Sequence, residues 1–337
     1  MKVTILGAGV LGLAVATELA DRGLRPRLID PAGGPGPHGC SWWAGGMLAP
    51  HCEGESAEPA VVRLGLDAAA WWQAHGAHVT PGGTLVVATG RDGAELDRLA
   101  RLTEGHRALD GPGVAALEPA LGGRVRRGIF FADEGHLDPR QALGALVSGL
   151  AARGIAVEPV PPGPVPPGPV PPGPDNPGVI VDARGLAARD ALADLRGVRG
   201  EMMVLRCPEV RIGRTIRLLH PRIPIYLVPR GEGIYMLGAT MLESGDRGPV
   251  TARAAVELLG AAYALHPAFA EAAILELGAD ARPAFPDNLP RLRRRGDRLF
   301  VNGLYRHGYL LAPAVARMAA DHLIDGKTPE FMDEDHP

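Results

Sequence analysis

Cysteine is scarce in this chain of 337 residues: Cys40, Cys52 and Cys207 form no C-x-x-C pair and no zinc-ligand spacing, so neither a disulfide framework nor a structural metal is indicated. Long hydrophobic runs are missing too. No stretch approaches the roughly eighteen apolar residues of a membrane span. The first strand begins at once, without the charged, apolar and cleavage regions of a signal peptide, so the expectation is a cytoplasmic protein with no membrane partner. Charge of one sign is not in excess: 35 Lys and Arg against 38 Asp and Glu leave a net charge of −3, and no long basic run is present, which argues against nucleic acid. What the chain does have is 46% apolar and 22% charged residues, the balance of a soluble globular protein. Its length favours two domains.

The most informative stretch is Met1 to Asp30. Val3 to Leu6 is a short apolar run that ends directly in Gly7-Ala8-Gly9-Val10-Leu11-Gly12. Leu11, Val15 and Leu19 then recur at helical spacing, Gly23 ends that helix, and a second apolar run, Pro26 to Ile29, closes on an acid, Asp30. This is strand, G-x-G-x-x-G, helix, strand. Gly7 allows a tight turn, Gly9 lets the backbone approach a pyrophosphate, and Gly12 lets the helix sit against the sheet. The helix N-terminus offers free N–H groups and a positive dipole end to phosphates. Asp30 follows Gly12 by 18 residues, close to the roughly 20 expected of a carboxylate that binds an adenosine ribose. An acid there argues against a 2′-phosphate, while FAD and NAD both stay open.

Further along, Cys40-Ser41-Trp42-Trp43-Ala44-Gly45-Gly46-Met47-Leu48-Ala49-Pro50 crowds small residues beside two tryptophans, as backbone pressed against a flat or charged group would. Val61 to His75 predicts a helix and Thr84 to Thr89 a strand, with Asp92 capping a helix through Leu102. Gly128 to Phe131 predicts another strand. Asp138-Pro139 opens a helix that carries Leu143, Leu146, Val147 and Leu150 on one face and ends at Gly154. Ile155 to Val157 should return to the sheet. Pro159 to Pro174 holds three copies of Pro-Val-Pro-Pro-Gly, expected to be an exposed polyproline-like insertion. Val179 to Asp182 resumes as a buried strand. Met202 to Leu205, Ile216 to Leu219, Ile223 to Val228 and Ile234 to Ala239 form a β-rich stretch, the last two flanking a hairpin turn. Alternation there puts Ile223, Ile225 and Leu227 on one face and Tyr226 on the other, toward a cavity. Thr251 caps a helix through Leu265, Leu299 to Val301 is a strand, and a final helix runs from Tyr309 to Ile324.

The α/β pattern therefore recurs at Ile155 to Ala183 and Leu299 to Ile324, with β-rich segments between. The expected fold is α/β: a discontinuous Rossmann-like nucleotide-binding domain from residues 1–80, 135–197 and 283–330. A mainly antiparallel β-sheet substrate domain from 81–134 and 198–282 is inserted in it. A second helix N-terminus at the cofactor suits a long, buried FAD.

GAGVLG, SWWAGGMLAP, Gly238-Ala239-Thr240-Met241, Ala281-Arg282-Pro283 and Tyr305-Arg306-His307-Gly308-Tyr309-Leu310-Leu311-Ala312-Pro313 together resemble the D-amino-acid oxidase family of flavoproteins, nearly end to end. The glycine oxidase branch that serves thiamine biosynthesis is the most similar. The resemblance implies non-covalent FAD, with Arg282 clamping the substrate carboxylate, Tyr226 as its hydrogen-bonding partner, Arg306 at the site entrance and Met241 lining the pocket. Gly7, Gly9, Val10, Leu11, Gly12 and Asp30 would hold the ADP half; Ser41, Ala44, Gly46 and Met47 the pyrophosphate and flavin. Arg306, His307, Gly308, Tyr309 and Leu310 would meet the flavin O2 edge, and a backbone amide near Val160 the adenine. The chain departs from the family in the proline repeat, in Asp30 where relatives have Glu, and in the bulk of Trp42 and Trp43, which would narrow the pocket or only repack the loop. The implied reaction is hydride transfer from the α-carbon of glycine or another small amine to flavin N5. Reoxidation by O2 then gives imine and hydrogen peroxide, the imine serving thiazole assembly. A dehydrogenase of a small D-amino acid or secondary amine, using another acceptor, is the alternative, and a non-catalytic scaffold displaying the repeat is a third reading. A homo-oligomer is compatible with the family, whose members form dimers and tetramers.

Overall fold

The computed structural model describes residues 1–88, 93–160, 178–220 and 223–334. Val3–Leu6, four buried residues in a row, runs through a seven-stranded sheet. Around it Arg298–Asn302, Val179–Asp182, Val3–Leu6, Arg27–Ile29 and Val157–Glu158 lie parallel in that order. Parallel strands are covered on both faces, which is why they read as unbroken apolar runs. Arg291–Arg295 joins antiparallel at one edge, followed by Met332–Glu334. Helices Val10–Asp21, Pro139–Ala152 and Gly308–Asp325 pack with this sheet into one apolar cluster.

A second sheet follows the order Leu242–Glu243, Arg196–Arg206, Ile234–Gly238, Ile225–Pro229, Thr215–Leu219, Thr84–Ala88, Arg127–Phe131 and His106–Asp110, while Ala273–Ala284 pairs along the other side of Arg196–Arg206. All neighbours are antiparallel except Thr215–Leu219 with Thr84–Ala88. Helix Ala252–Leu265 packs on it. A small antiparallel sheet, Met47–Leu48, Gly135–Leu137 and Val79–Pro81, is made from the segments that leave and re-enter the first sheet. No helix among the described residues is long and apolar enough to cross a membrane.

Caps fall where the side chains dictate. Asp138 accepts from the Arg140 and Gln141 amides, Thr251 from that of Ala254, and Gly326, at φ +67°, ends the last helix. One expectation is corrected and two strands are added. Val61 to His75 is two short helices, Pro59–Gly65 and Ala68–Ala74, because Gly65 is pressed against Leu310. Ala281-Arg282-Pro283 is the end of a strand of 12 residues, Ala273–Ala284, whose charged Glu276, Asp280 and Arg282 hide the apolar alternation. Arg291–Arg295, four arginines and a leucine, is a strand because Arg293 meets Asp194 and Asp333 and lies over the Phe285 ring. Asp92, Thr89 and residues 161–177, which hold most of the proline repeat, lie outside the described residues.

Two substitutions test this packing. A Cβ on Gly12 would sit 1.9 Å from the Gly7 carbonyl oxygen, so Gly12→Ala is expected to cost on the order of 3 kcal/mol in urea unfolding. Glu134 is 3% exposed, and burial pushes its carboxyl up from 4.5 to about 7. One oxygen accepts from the Cys52 amide. Its stabilising protonated form is complete below the unfolded pKa and is lost as pH rises through about 7. Glu134→Gln, neutral throughout, should therefore be more stable than the wild type at pH 8.5 by roughly 2–3 kcal/mol. The gap should close toward pH 4.5, and a pH-independent gap in unfolding midpoints would refute a buried neutral carboxyl.

Candidate active site

The turn after the first strand shows why glycine stands there. Gly7 has φ +96°, and a Cβ on it would lie 2.6 Å from the Ala183 carbonyl oxygen of the neighbouring strand end. Gly9, at the start of the helix, would meet only the Ser41 hydroxyl, at 3.3 Å. Asp30 accepts from the Ala8 amide at 2.8 Å and from that of Ala32 at 2.9 Å. Each carboxylate oxygen keeps a lone pair for a further donor. Ser41 binds the Val10 amide through its hydroxyl at 3.1 Å, and its carbonyl accepts from Tyr309 at 2.9 Å.

These groups border a cavity of about 950 Å³ whose wall is drawn from both large sheets, near the upper end of the about 300–1,000 Å³ usual for ligand sites. The wall includes Gly7, Gly9, Val10, Leu11, Asp30, Ser41, Ala44, Gly46, Met47, Tyr226, Met241, Arg282, Arg306, His307, Gly308, Tyr309 and Leu310. Two of the expected residues stand outside it. Gly12 serves the close contact with Gly7 described above, and the Val160 side chain packs on Leu6, Ile29 and Ile180. Trp42 and Trp43 belong to the wall. Arg140 stacks over both rings at 4.7 and 5.4 Å, and the Trp43 ring lies on Gly278.

The far wall is cationic. Arg282 faces Val198 in register on the adjoining strand and lays its guanidinium over Gly200, where a Cβ would come within 2.1 Å of it. It makes a long hydrogen bond, 3.5 Å, to the Thr240 carbonyl and lies against the Tyr226 hydroxyl, and no carboxylate among the described residues lies within ion-pair reach. Tyr226 sits between Gly45 and Gly238, its hydroxyl beside Arg282. Burial raises its pKa against the opposing charges of Arg282 and Arg230, so the phenol stays protonated.

Arg306 is engaged differently: it donates to Glu53 at 2.8 Å and to Ser56 at 2.7 Å. His307 Nε2 lies 3.0 Å from the same Glu53 carboxylate. Burial alone would raise the Glu53 pKa, but Arg306, His307 and Arg217 outweigh it and hold the carboxyl well below its usual range. Arg217, directly opposite Tyr226 in the strand pairing, also lines the cavity and contacts the Cys52 carbonyl at 3.2 Å and Glu55 at 3.7 Å. Sequence reasoning missed Glu53 and Arg217. Each lies far along the chain from its partners, and His51-Cys52-Glu53-Gly54-Glu55 matches no motif.

The wall has the form of a dinucleotide-flavin site. Two helix N-termini, at Val10 and Gly308, reach it. His307 Nδ1 is buried without a hydrogen-bond partner, an atom that a ligand polar group would satisfy. The comparisons agree. Residues 2–322 match the family model for FAD dependent oxidoreductases. The chain is 52% identical over 325 residues, 96% of its own length and 97% of the relative's, to a putative thiamine biosynthesis oxidoreductase ThiO of Rhizobium etli. A glycine oxidase of Pseudomonas aeruginosa is 27% identical over 97% of this chain and 96% of its own. The crystal structure of glycine oxidase from Geobacillus kaustophilus, 22% identical, superposes with a TM-score of 0.79 over 98% of this chain and 95% of that one, showing a shared fold. Fold, cavity wall and full-length likeness converge: the chain belongs to the D-amino-acid oxidase family of FAD-dependent oxidoreductases.

Proposed function

We propose that this enzyme oxidises glycine and other small amino acids or amines with O2 as acceptor, releasing imine and hydrogen peroxide. The observation that carries the reading is Arg282: a guanidinium on the cavity wall without a carboxylate partner, beside a protonated tyrosine. A planar fork of that kind matches a substrate carboxylate bidentately, and Tyr226 adds a donor from the side. Arg306 is committed to Glu53, which suits a role at the entrance rather than as the clamp.

FAD, when bound, supplies the hydride acceptor for the substrate α-carbon. The chain's part is positioning. Gly9 and the first turn of the Val10 helix would offer backbone amides to the pyrophosphate, while Gly7, whose own amide is bonded to the Ile29 carbonyl at 2.8 Å, would supply the turn. Asp30 would accept from the ribose, and Ser41, Ala44, Gly46 and Met47 would continue that wall. His307 to Leu310 would hold the flavin at the second helix N-terminus. Arg282 and Tyr226 fix the substrate, where a near-attack arrangement supplies several kcal/mol. The α-hydrogen leaves as hydride and no side chain is assigned the ammonium proton, so the amine must arrive neutral and kcat/KM should rise with pH. The domain boundaries proposed are those expected from sequence, the parallel sheet forming the cofactor side and the mixed sheet the substrate side. A cytoplasmic place and a role in supplying imine for thiazole assembly fit the name of the Rhizobium etli relative.

Anaerobic glycine should bleach the flavin absorbance and air should restore it; bands that persist would point to another amine. A peroxide assay in air decides the acceptor, since negligible peroxide would favour the dehydrogenase. Arg282→Ala should raise KM for glycine on the order of 100-fold, from loss of a charged hydrogen-bond pair, with flavin retained. An unchanged KM would remove Arg282 from the site. Because a Cβ on Gly9 would meet only the Ser41 hydroxyl, at 3.3 Å, a tight contact that a small side-chain shift relieves, Gly9→Val should fold as colourless apoprotein, and a yellow product would contradict the pyrophosphate placement.

A further inference from the structure

The cavity mouth carries a thioether to which no role beyond lining has been given. Met241 is 54% exposed, lines the cavity, and accepts a hydrogen bond at its sulfur from the Tyr305 hydroxyl at 2.7 Å. The chain's eight methionines differ in access. Met202, Met203 and Met236 are 3% exposed or less, Met47, Met318 and Met332 are half-buried, and besides Met241 only Met1 is open to solvent, at 59%. The one exposed thioether beside the reaction cavity is therefore Met241.

We propose that Met241 is an oxidation site for the hydrogen peroxide the enzyme itself releases, so that turnover feeds back on the cavity mouth. The proposal rests on the oxidase reading above, which supplies the oxidant. A thioether is a soft nucleophile toward peroxide. A sulfur lone pair attacks one peroxide oxygen as the O–O bond breaks. The other oxygen leaves with the proton of the first, so thioether and hydrogen peroxide give sulfoxide and water. The two electrons lost by sulfur reduce the peroxide. Tyr305 is already placed to donate to the new S–O oxygen, a stronger acceptor than the sulfur it replaces. Tyr305 has backbone φ +52°, and its ring lies under the Arg306 guanidinium at 5.8 Å and edge-on to His307 at 5.8 Å. A polar oxygen at this point adds bulk and a dipole to the mouth beside the entrance arginine, lowering kcat/KM for glycine. Methionine sulfoxide reductases reverse the change.

The test uses the FAD-loaded enzyme turning over glycine in air with excess catalase, which destroys peroxide in bulk but not on its way out. Peptide mass spectrometry, after a digestion that separates Met1 from Met241, follows the gain of one oxygen. Met241 should be modified several-fold faster than Met1, and several-fold faster than in enzyme without glycine. Equal rates at the two positions, or no dependence on glycine, overturn the proposal. Met241→Leu, with activity followed against its own initial rate, should lose activity several-fold more slowly than the wild type during turnover without catalase; equal decay overturns it as well. A peroxide assay on a parallel turnover without catalase separates the two readings: no peroxide overturns both, whereas peroxide with unmodified Met241 overturns this one alone.

Discussion

The cavity wall depends on one buried carboxylate. Glu53 draws together Arg306 and His307 from the C-terminal turn and Arg217 from the mixed sheet, three charges or dipoles from segments that have no other reason to meet. Burying a carboxylate away from water is costly unless it is paired and hydrogen-bonded. Here the pairing fixes the entrance arginine and the His307 ring in one arrangement. The turn from Leu304 to Gly308 then presents the second helix N-terminus to the cavity as a rigid element.

Against that compensated cluster, Arg282 stands apart. A half-buried guanidinium with a long contact to a carbonyl is under-satisfied, and a ligand carboxylate recovers what desolvation cost it. Two arginines on one wall are thus in different states. Arg306 is paired with Glu53 and Ser56, and Arg282 has no carboxylate partner among the described residues. Gly200 and Gly238 make this possible, since side chains there would occupy the space of the Arg282 fork and the Tyr226 hydroxyl.

Local chemistry made much of this legible. The glycine turn, Asp30, the Asp138 and Thr251 caps, the Gly326 stop and the outward placement of Tyr226 all follow from residue type and spacing, because each acts within a few residues of itself. What stayed hidden depends on distance along the chain. Glu53 lies some 250 residues from Arg306, and the arginine-rich strand Arg291–Arg295 is stabilised by acids at 194 and 333. Likewise the break at Leu66 and Asp67 answers to Leu310, a contact no local pattern encodes. Val160 packs its half-buried side chain on Leu6, Ile29 and Ile180, whereas the expectation there concerned its backbone amide.

The order of the central sheet also sets an order of synthesis. Val3–Leu6 leaves the ribosome first, yet one of its two edges pairs with Val179–Asp182, and that strand in turn waits for Arg298–Asn302. The glycine turn, whose close fit is against Ala183, has no completed shape until more than half the chain exists, and the second helix N-terminus arrives only with Gly308. A fragment that stops before Gly308 therefore carries the nucleotide fingerprint without the cavity wall that the later strands and helix complete.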